Sequence, residues 1–233
     1  MIKAILMDFN GVIINDESIQ MKAYQEILKE YDIDLTEADY MASLGMDDKA
    51  FVRAAFERVG KAAPNGKADE IIDAKFAAWK AAVDREIPLF DGIENFIEKM
   101  AREFEIGIVS MSRRREIDHI LDRSGLGRHF SAIVSAEMVE QCKPDPTCYR
   151  EGFRLLDAAR TFKGHSPMAH AECLAIEDTP PGITAARGAG LQALGVANTV
   201  AANELRSAGA RAVAAGLNDW MPESIRLVFS ARE

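Results

Sequence analysis

The stretch Lys3-Ala4-Ile5-Leu6-Met7-Asp8-Phe9-Asn10-Gly11-Val12 decides the fold. A short apolar run stops at an aspartate, and a glycine follows three residues later. That pattern is a buried strand carrying a carboxylate to the rim of a sheet, then a tight turn. Ligands of open α/β sheets bind beyond the carboxyl ends of the strands, so Asp8 stands where chemistry is done. Asn10 stands where a second carboxylate would make a nucleophile and acid/base pair with Asp8. An amide does not carry that proton.

Beyond this strand the period changes. From residue 15 to about 84, apolar residues recur at helix spacing: Ile19, Ala23, Ile27 and Leu28, then Phe51, Ala54, Ala55 and Val59, then Ile71, Ile72, Phe76 and Trp79. Pro64-Asn65-Gly66 reads as a turn within this block. From Ile87 onward strands and helices alternate. Segments 106–110, 132–134, 173–177 and 191–196 read as buried strands. Helices open after Asp91-Gly92, at Arg113, at Asp145 or Thr147, and at Ile183. Such alternation predicts an α/β fold with a doubly wound, parallel, Rossmann-like sheet. The helical block interrupts that sheet after its first strand. It is therefore expected to be an inserted all-helical cap domain, residues 15–86, on a core of residues 1–14 and 87–233. Asn15-Asp16 and Arg85-Glu86-Ile87-Pro88 flank the block as hinges.

The totals exclude several classes. Of 233 residues, 48% are hydrophobic, which rules out a disordered chain. The formal net charge of −9 argues against nucleic acid or an anionic membrane as partner. Arg113-Arg114-Arg115 is the one local basic run, and it is expected to be a solvated first helical turn. Cys142, Cys148 and Cys173 are odd in number and lack Cys-x-x-Cys spacing, so neither a disulfide framework nor a zinc site is expected. A cytoplasmic monomer with no leader and no membrane span is the expectation.

Three more segments end strands with reactive groups: Ser110, Lys143 in Cys142-Lys143-Pro144-Asp145-Pro146, and Glu177-Asp178 running into Thr179-Pro180-Pro181-Gly182. Singly, each has an ordinary explanation as a helix cap or a solvated charge. Together they supply a phosphoryl-transfer site. Asp8 and Asp178 are hard oxygen ligands for Mg2+. Lys143 is a cation for phosphate charge, Ser110 a hydroxyl donor, and Asp8 a carboxylate able to attack phosphorus.

Asp8-Phe9-Asn10-Gly11-Val12, Ser110, Lys143-Pro144 and Glu177-Asp178 with Gly182-Ile183 resemble the four ordered motifs of the haloacid dehalogenase-like superfamily. The helical insert resembles the C1 cap of its β-phosphoglucomutase-like and phosphatase branch. The resemblance implies a small phosphorylated metabolite as substrate and Mg2+ as cofactor. It implies Asp8 as nucleophile and Ser110 as binder of the transferring phosphoryl group. Lys143 would hold the charge of nucleophile and phosphate together. Glu177 and Asp178 would organise the metal, with Asp178 and the backbone carbonyl of Asn10 as direct ligands.

Three departures matter. Asn10 replaces the aspartate that protonates the leaving group and then activates water, a contribution of about 10²–10⁴-fold. Met111 follows Ser110 where related chains often have asparagine or glycine, which leaves its backbone amide for the phosphate. The segment Ser43-Leu44-Gly45-Met46-Asp47-Asp48 resembles the cap's specificity segment but holds no cation, and Lys49 and Arg53 beyond it are expected to be solvated. Three chemistries stay open: a phosphatase slowed by Asn10, a phosphonate or haloacid hydrolase, and a phosphometabolite-binding module without turnover.

Overall fold

The computed structural model describes residues 1–63 and 66–230. β1 (Ala4–Met7) is buried along its whole length, as its unbroken apolar run requires. Directly after it come four helices: α1 (Glu17–Lys29), α2 (Glu37–Met41), α3 (Asp48–Arg58) and α4 (Lys67–Val83). They enclose a core of their own, in which Tyr24, Leu28, Phe51, Phe56, Ile71 and Ile72 meet. Trp79 and Val83, at the far end of α4, pack instead into the main core. The turn expected at Pro64-Asn65-Gly66 lies mostly outside the described residues. Gly66 opens α4 at φ +79.

The chain then returns through α5 (Ile93–Glu103), β2 (Glu105–Val109), α6 (Arg114–Ser124), β3 (Ala132–Val134), α7 (Thr147–Phe162), β4 (Cys173–Glu177), α8 (Pro180–Gly188), β5 (Gln192–Val196), α9 (Ala202–Ser207), β6 (Ala212–Ala214) and α10 (Pro222–Val228). The six strands are parallel, in the order β3-β2-β1-β4-β5-β6. Chain order reverses between β1 and β4, so the crevice at the carboxyl ends of these two strands is the switch point at which such sheets bind ligands. Alternate residues of β1 serve the two faces. Ile5 and Met7 pack with Ile93, Phe96, Ile97 and Met100 of α5 and with Ile117, Ile120 and Leu121 of α6. Ala4 and Leu6 pack with α7 and α8. The four buried side chains of α5 each contribute about 1.5–3 kcal/mol of apolar burial. The architecture is the expected doubly wound α/β core with a helical cap.

Three details differ from the sequence reading. α8 starts at Pro180, not Ile183, because the Thr179 hydroxyl accepts the Gly182 amide at 3.2 Å and proline suits the first helical turn. The strand β6 went unread, because three residues of alanine and valine show no periodicity. The arginine run is not a solvated turn. Arg113 pairs with Asp48 at 3.7 Å and Asp69 at 3.1 Å, and Arg115 pairs with Asp73 at 2.7 Å and covers the Phe76 ring. Only Arg114, paired with Asp118, keeps to its own helix. Two of the three arginines thus join α6 to the cap.

Candidate active site

Asp8 follows the last residue of β1, and its amide is held by the Ile176 carbonyl of β4 at 2.9 Å. Its carboxylate meets the Lys143 ammonium at 3.0 Å. That ammonium also donates to Glu177 Oε1 at 2.6 Å and to the Val109 carbonyl at 3.2 Å, so three strand ends converge on one buried cation. Burial disfavours the Lys143 charge, but Asp8 and Glu177 outweigh it and raise its pKa. Burial also pushes Asp8 up to about 7, against the pull of Lys143. The β4 motif lies alongside. Glu177 is fully engaged: Oε1 also accepts from Tyr149 at 2.8 Å, and Oε2 accepts from the Asp178 amide and the Thr179 hydroxyl. Asp178 is wholly buried, and neither of its carboxylate oxygens has a well-formed hydrogen bond. Burial and the charges of Asp8, Glu177 and Glu17 push its pKa well up, against the Thr199 side chain.

Two glycines let these groups approach. A Cβ on Gly11, whose φ is +73, would lie 1.8 Å from Asp178 Oδ2. A Cβ on Gly182 would lie 2.0 Å from the Glu177 carboxyl. No other residue fits at either position without moving an acidic side chain.

Asn10 is held from both ends of its amide. Its Nδ2 donates to Asp16 Oδ1 at 2.9 Å and Oδ2 at 3.1 Å. Its Oδ1 accepts from the Ser112 hydroxyl at 2.6 Å and the Ser110 hydroxyl at 3.4 Å. Asp16 is fully buried and takes two further donors, Gln20 at 3.0 Å and the Trp79 indole at 2.7 Å. Burial raises its pKa, and these three hydrogen bonds oppose the rise. Asn10 and Asp16 therefore form an amide–carboxylate unit where β1 leads into α1.

The cap closes the cleft from the other side. Ser43, Leu44, Gly45, Met46, Asp47 and Asp48 line it, as the resemblance implied, with Glu17, Gln20, Tyr24 and Tyr40 beside them. Lys49 and Arg53 are exposed and outside the cleft. The cap's cationic lining comes from Lys75 on α4. Its ammonium is buried between Glu116 at 2.7 Å and Asp48 at 2.9 Å. Burial works against this charge, and the two carboxylates prevail and raise its pKa. The Tyr24 hydroxyl donates to the same Asp48 at 2.5 Å.

Residues 5–196 match the family described as haloacid dehalogenase-like hydrolase. The chain belongs to the haloacid dehalogenase-like hydrolase family. As a member it is an enzyme of the hydrolase and phosphatase type. The protein YhcW of Bacillus subtilis is 30% identical over 209 residues, which are 86% of each chain. The chloroplastic protein SUPPRESSOR OF QUENCHING 1 of Arabidopsis thaliana is 24% identical over 211 residues. This chain spans only 19% of that protein's length. Among solved structures, a β-phosphoglucomutase from Clostridium difficile superposes with a TM-score of 0.84, covering 98% of this chain and 97% of that one at 20% identity. It shares the fold.

In this haloacid dehalogenase-like site the donor set fits a hard cation. Asp8, Glu177 and Asp178 are buried and offer carboxylate oxygens within 4.8 Å of one another. Asp178 has oxygens to spare, which is the state of a buried carboxylate built to take a cation. Asp8, Asn10, Ser110, Met111, Lys143 and Asp178 all line one cleft, and Glu177 stands behind Lys143. The sequence reading missed Asp16, Glu17, Ser112 and Lys75. One signal for Lys75 was present. It falls on the stripe Ile71, Ile72, Trp79, which the helical period turns inward, and a lysine there needs buried partners.

Proposed function

We propose that the chain is a Mg2+-dependent phosphatase that hydrolyses a small phosphorylated metabolite through an aspartyl phosphate. One observation carries the reading: at the switch point, the Asp8 carboxylate is fixed 3.0 Å from a buried lysine and beside the unpaired carboxylate of Asp178. Asp8 attacks phosphorus and Lys143 holds nucleophile and phosphate charge together. The Ser110 hydroxyl and the Met111 amide hold the transferring oxygens. Asp8, Asp178 and the Asn10 carbonyl would hold the metal, with Glu177 orienting Lys143 from behind. When bound, Mg2+ neutralises phosphate charge. Residues 15–86 act as a cap that opens and closes over the cleft. The cleft interior is about 100 Å³, which suits a small ester. Cys142, Cys148 and Cys173 are free thiols, in keeping with a reducing cytoplasm. Among the described residues no helix is long and apolar enough to cross a membrane.

The test is a panel of phosphomonoesters with Mg2+, read as inorganic phosphate released. Activity is expected in the parent chain, lost with EDTA and in Asp8→Asn. Equal activity in Asp8→Asn would sink the reading. Asn10 favours a second reading, a phosphometabolite-binding module, because both ends of its amide are occupied and it has no proton to exchange. Calorimetric binding of a phosphate ester with no turnover over hours would select that alternative.

A further inference from the structure

We propose that Glu17 is the proton donor and acceptor of this active site, in the role that Asn10 cannot fill. The inference rests on the phosphatase reading above. Five carboxyl groups line the cleft: Asp8, Glu17, Asp47, Asp48 and Asp178. Four have other work. Asp8 faces Lys143, and Asp178 belongs to the acidic cluster. Asp47 caps α3 by accepting the Ala50 amide at 2.7 Å. Asp48 holds Tyr24 and Lys75. Asp16, next in the chain, is outside the cleft, with its oxygens taken by Asn10, Gln20 and Trp79.

Glu17 differs from all of these. The Tyr40 hydroxyl fixes its Oε2 at 2.6 Å. Its Oε1 makes no hydrogen bond among the described residues and is not among the atoms sealed from solvent. Glu17 is the first residue of α1, one step from the Asp16 that anchors Asn10, so the hinge fixes both. Its neighbours set its titration. Burial, then Asp16, pushes its pKa up to about 7, with Asp8 adding, while Tyr40 and Lys75 oppose. Asp178 also faces it. A carboxyl group near neutrality supplies both protonation states at working pH, and the two half-reactions need both.

The steps balance. In the first, an Asp8 oxygen bonds to phosphorus as the bond to the ester oxygen breaks. The Glu17 carboxyl gives its proton to that departing oxygen and becomes a carboxylate. In the second, the Glu17 carboxylate takes a proton from water. The water oxygen bonds to phosphorus as the Asp8–phosphorus bond breaks. Alcohol and phosphate leave, and both side chains return to their starting states.

Glu17→Gln keeps an acceptor for Tyr40 and removes the proton. The probes are glycerol 1-phosphate, whose alkoxide needs a proton, and 4-nitrophenyl phosphate, whose phenolate does not. Glu17→Gln is expected to lower kcat/KM on glycerol 1-phosphate about 10²-fold or more. Single-turnover release of nitrophenolate should stay within about threefold of the parent, and the phosphorylated protein should accumulate. Tyr40→Phe should move the alkaline limb of the glycerol 1-phosphate profile to higher pH, because it removes a donor to the ionised form. Equal losses on both esters, or no loss on the alkyl ester, would overturn the proposal and leave the phosphatase reading standing. A parent chain that releases no nitrophenolate and forms no phosphoprotein would overturn both.

Discussion

Asn10 and Asp16 act as one unit, and that changes what a repair of position 10 should do. The simple repair, Asn10→Asp, puts a second carboxylate about 2.9 Å from Asp16 in a buried pocket. Two carboxylates at that distance do not both ionise. The variant also loses the two hydrogen bonds that Asn10 donates, and Asp16 is left with two donors rather than three. Asn10→Asp alone is expected to destabilise the chain by about 1–3 kcal/mol, or roughly 2–4 °C of Tm for each kcal/mol, in a thermal melt. The exchange Asn10→Asp with Asp16→Asn restores the match. The amide introduced at position 16 then donates to the new carboxylate and still accepts from Gln20 and Trp79. The double variant should recover the parent stability to within about 1 kcal/mol, a non-additivity typical of groups in direct contact. Additive losses would show that the two side chains are independent.

At the scale of elements, α4 and α6 are joined by charge. Lys75 pairs with Glu116 inside the interface, Arg113 and Arg115 reach Asp69 and Asp73, and Asp84 at the end of α4 receives His119 and Arg123. The exposed members contribute little, about 0.2–1 kcal/mol each. The buried pair is different. Lys75→Met leaves Glu116 without its cation and Asp48 with only the more distant Arg113, and should cost about 3–5 kcal/mol in denaturant unfolding. Lys75→Met with Glu116→Leu removes both charges of the pair and should recover much of that loss. The same contacts show where sequence reading reached its limit. The β1–β5 strands and the helical insertion were legible, because local hydrophobic runs encode them, and the strand-end polar residues Asp8, Ser110, Lys143 and Asp178 do meet in one cleft. The arginine run was misread because a local reading does not see the acidic face of α4 some 40 residues earlier in sequence. Asp16, read only as a linker residue, and Glu17, not singled out at all, escaped for the same reason, since their partners Trp79 and Tyr40 arrive through the tertiary fold.

At the scale of the whole molecule, the proposed Mg2+ and protons would compete for one acidic centre. Burial raises Asp8 from 3.8 to about 7, and Asp178 is raised as well. For a carboxyl group raised on folding, the folded state binds protons more tightly than the unfolded chain. The resulting stability is complete below the unfolded value of about 4 and is lost as pH rises through about 7. Without metal, Tm should therefore fall between pH 4 and pH 7. On the proposed reading Mg2+ would displace those protons, so its apparent affinity should rise over the same interval, with proton release seen by calorimetry in buffers of different ionisation enthalpy. A Mg2+ affinity flat across that interval would contradict the raised carboxyl groups. Trp79 offers a way to watch the proposed cap motion. Its indole is wholly buried, donates to Asp16 at the start of α1, and lies edge-on to His119 of α6 and stacked on Phe76 of α4, so it touches three elements at once. The chain has only two tryptophans, and the other, Trp220, sits far along the sequence beside Phe229. A Trp220→Phe chain would thus carry a single built-in fluorophore, whose emission colour and quenching would report the proposed opening of the cap in real time without an attached dye.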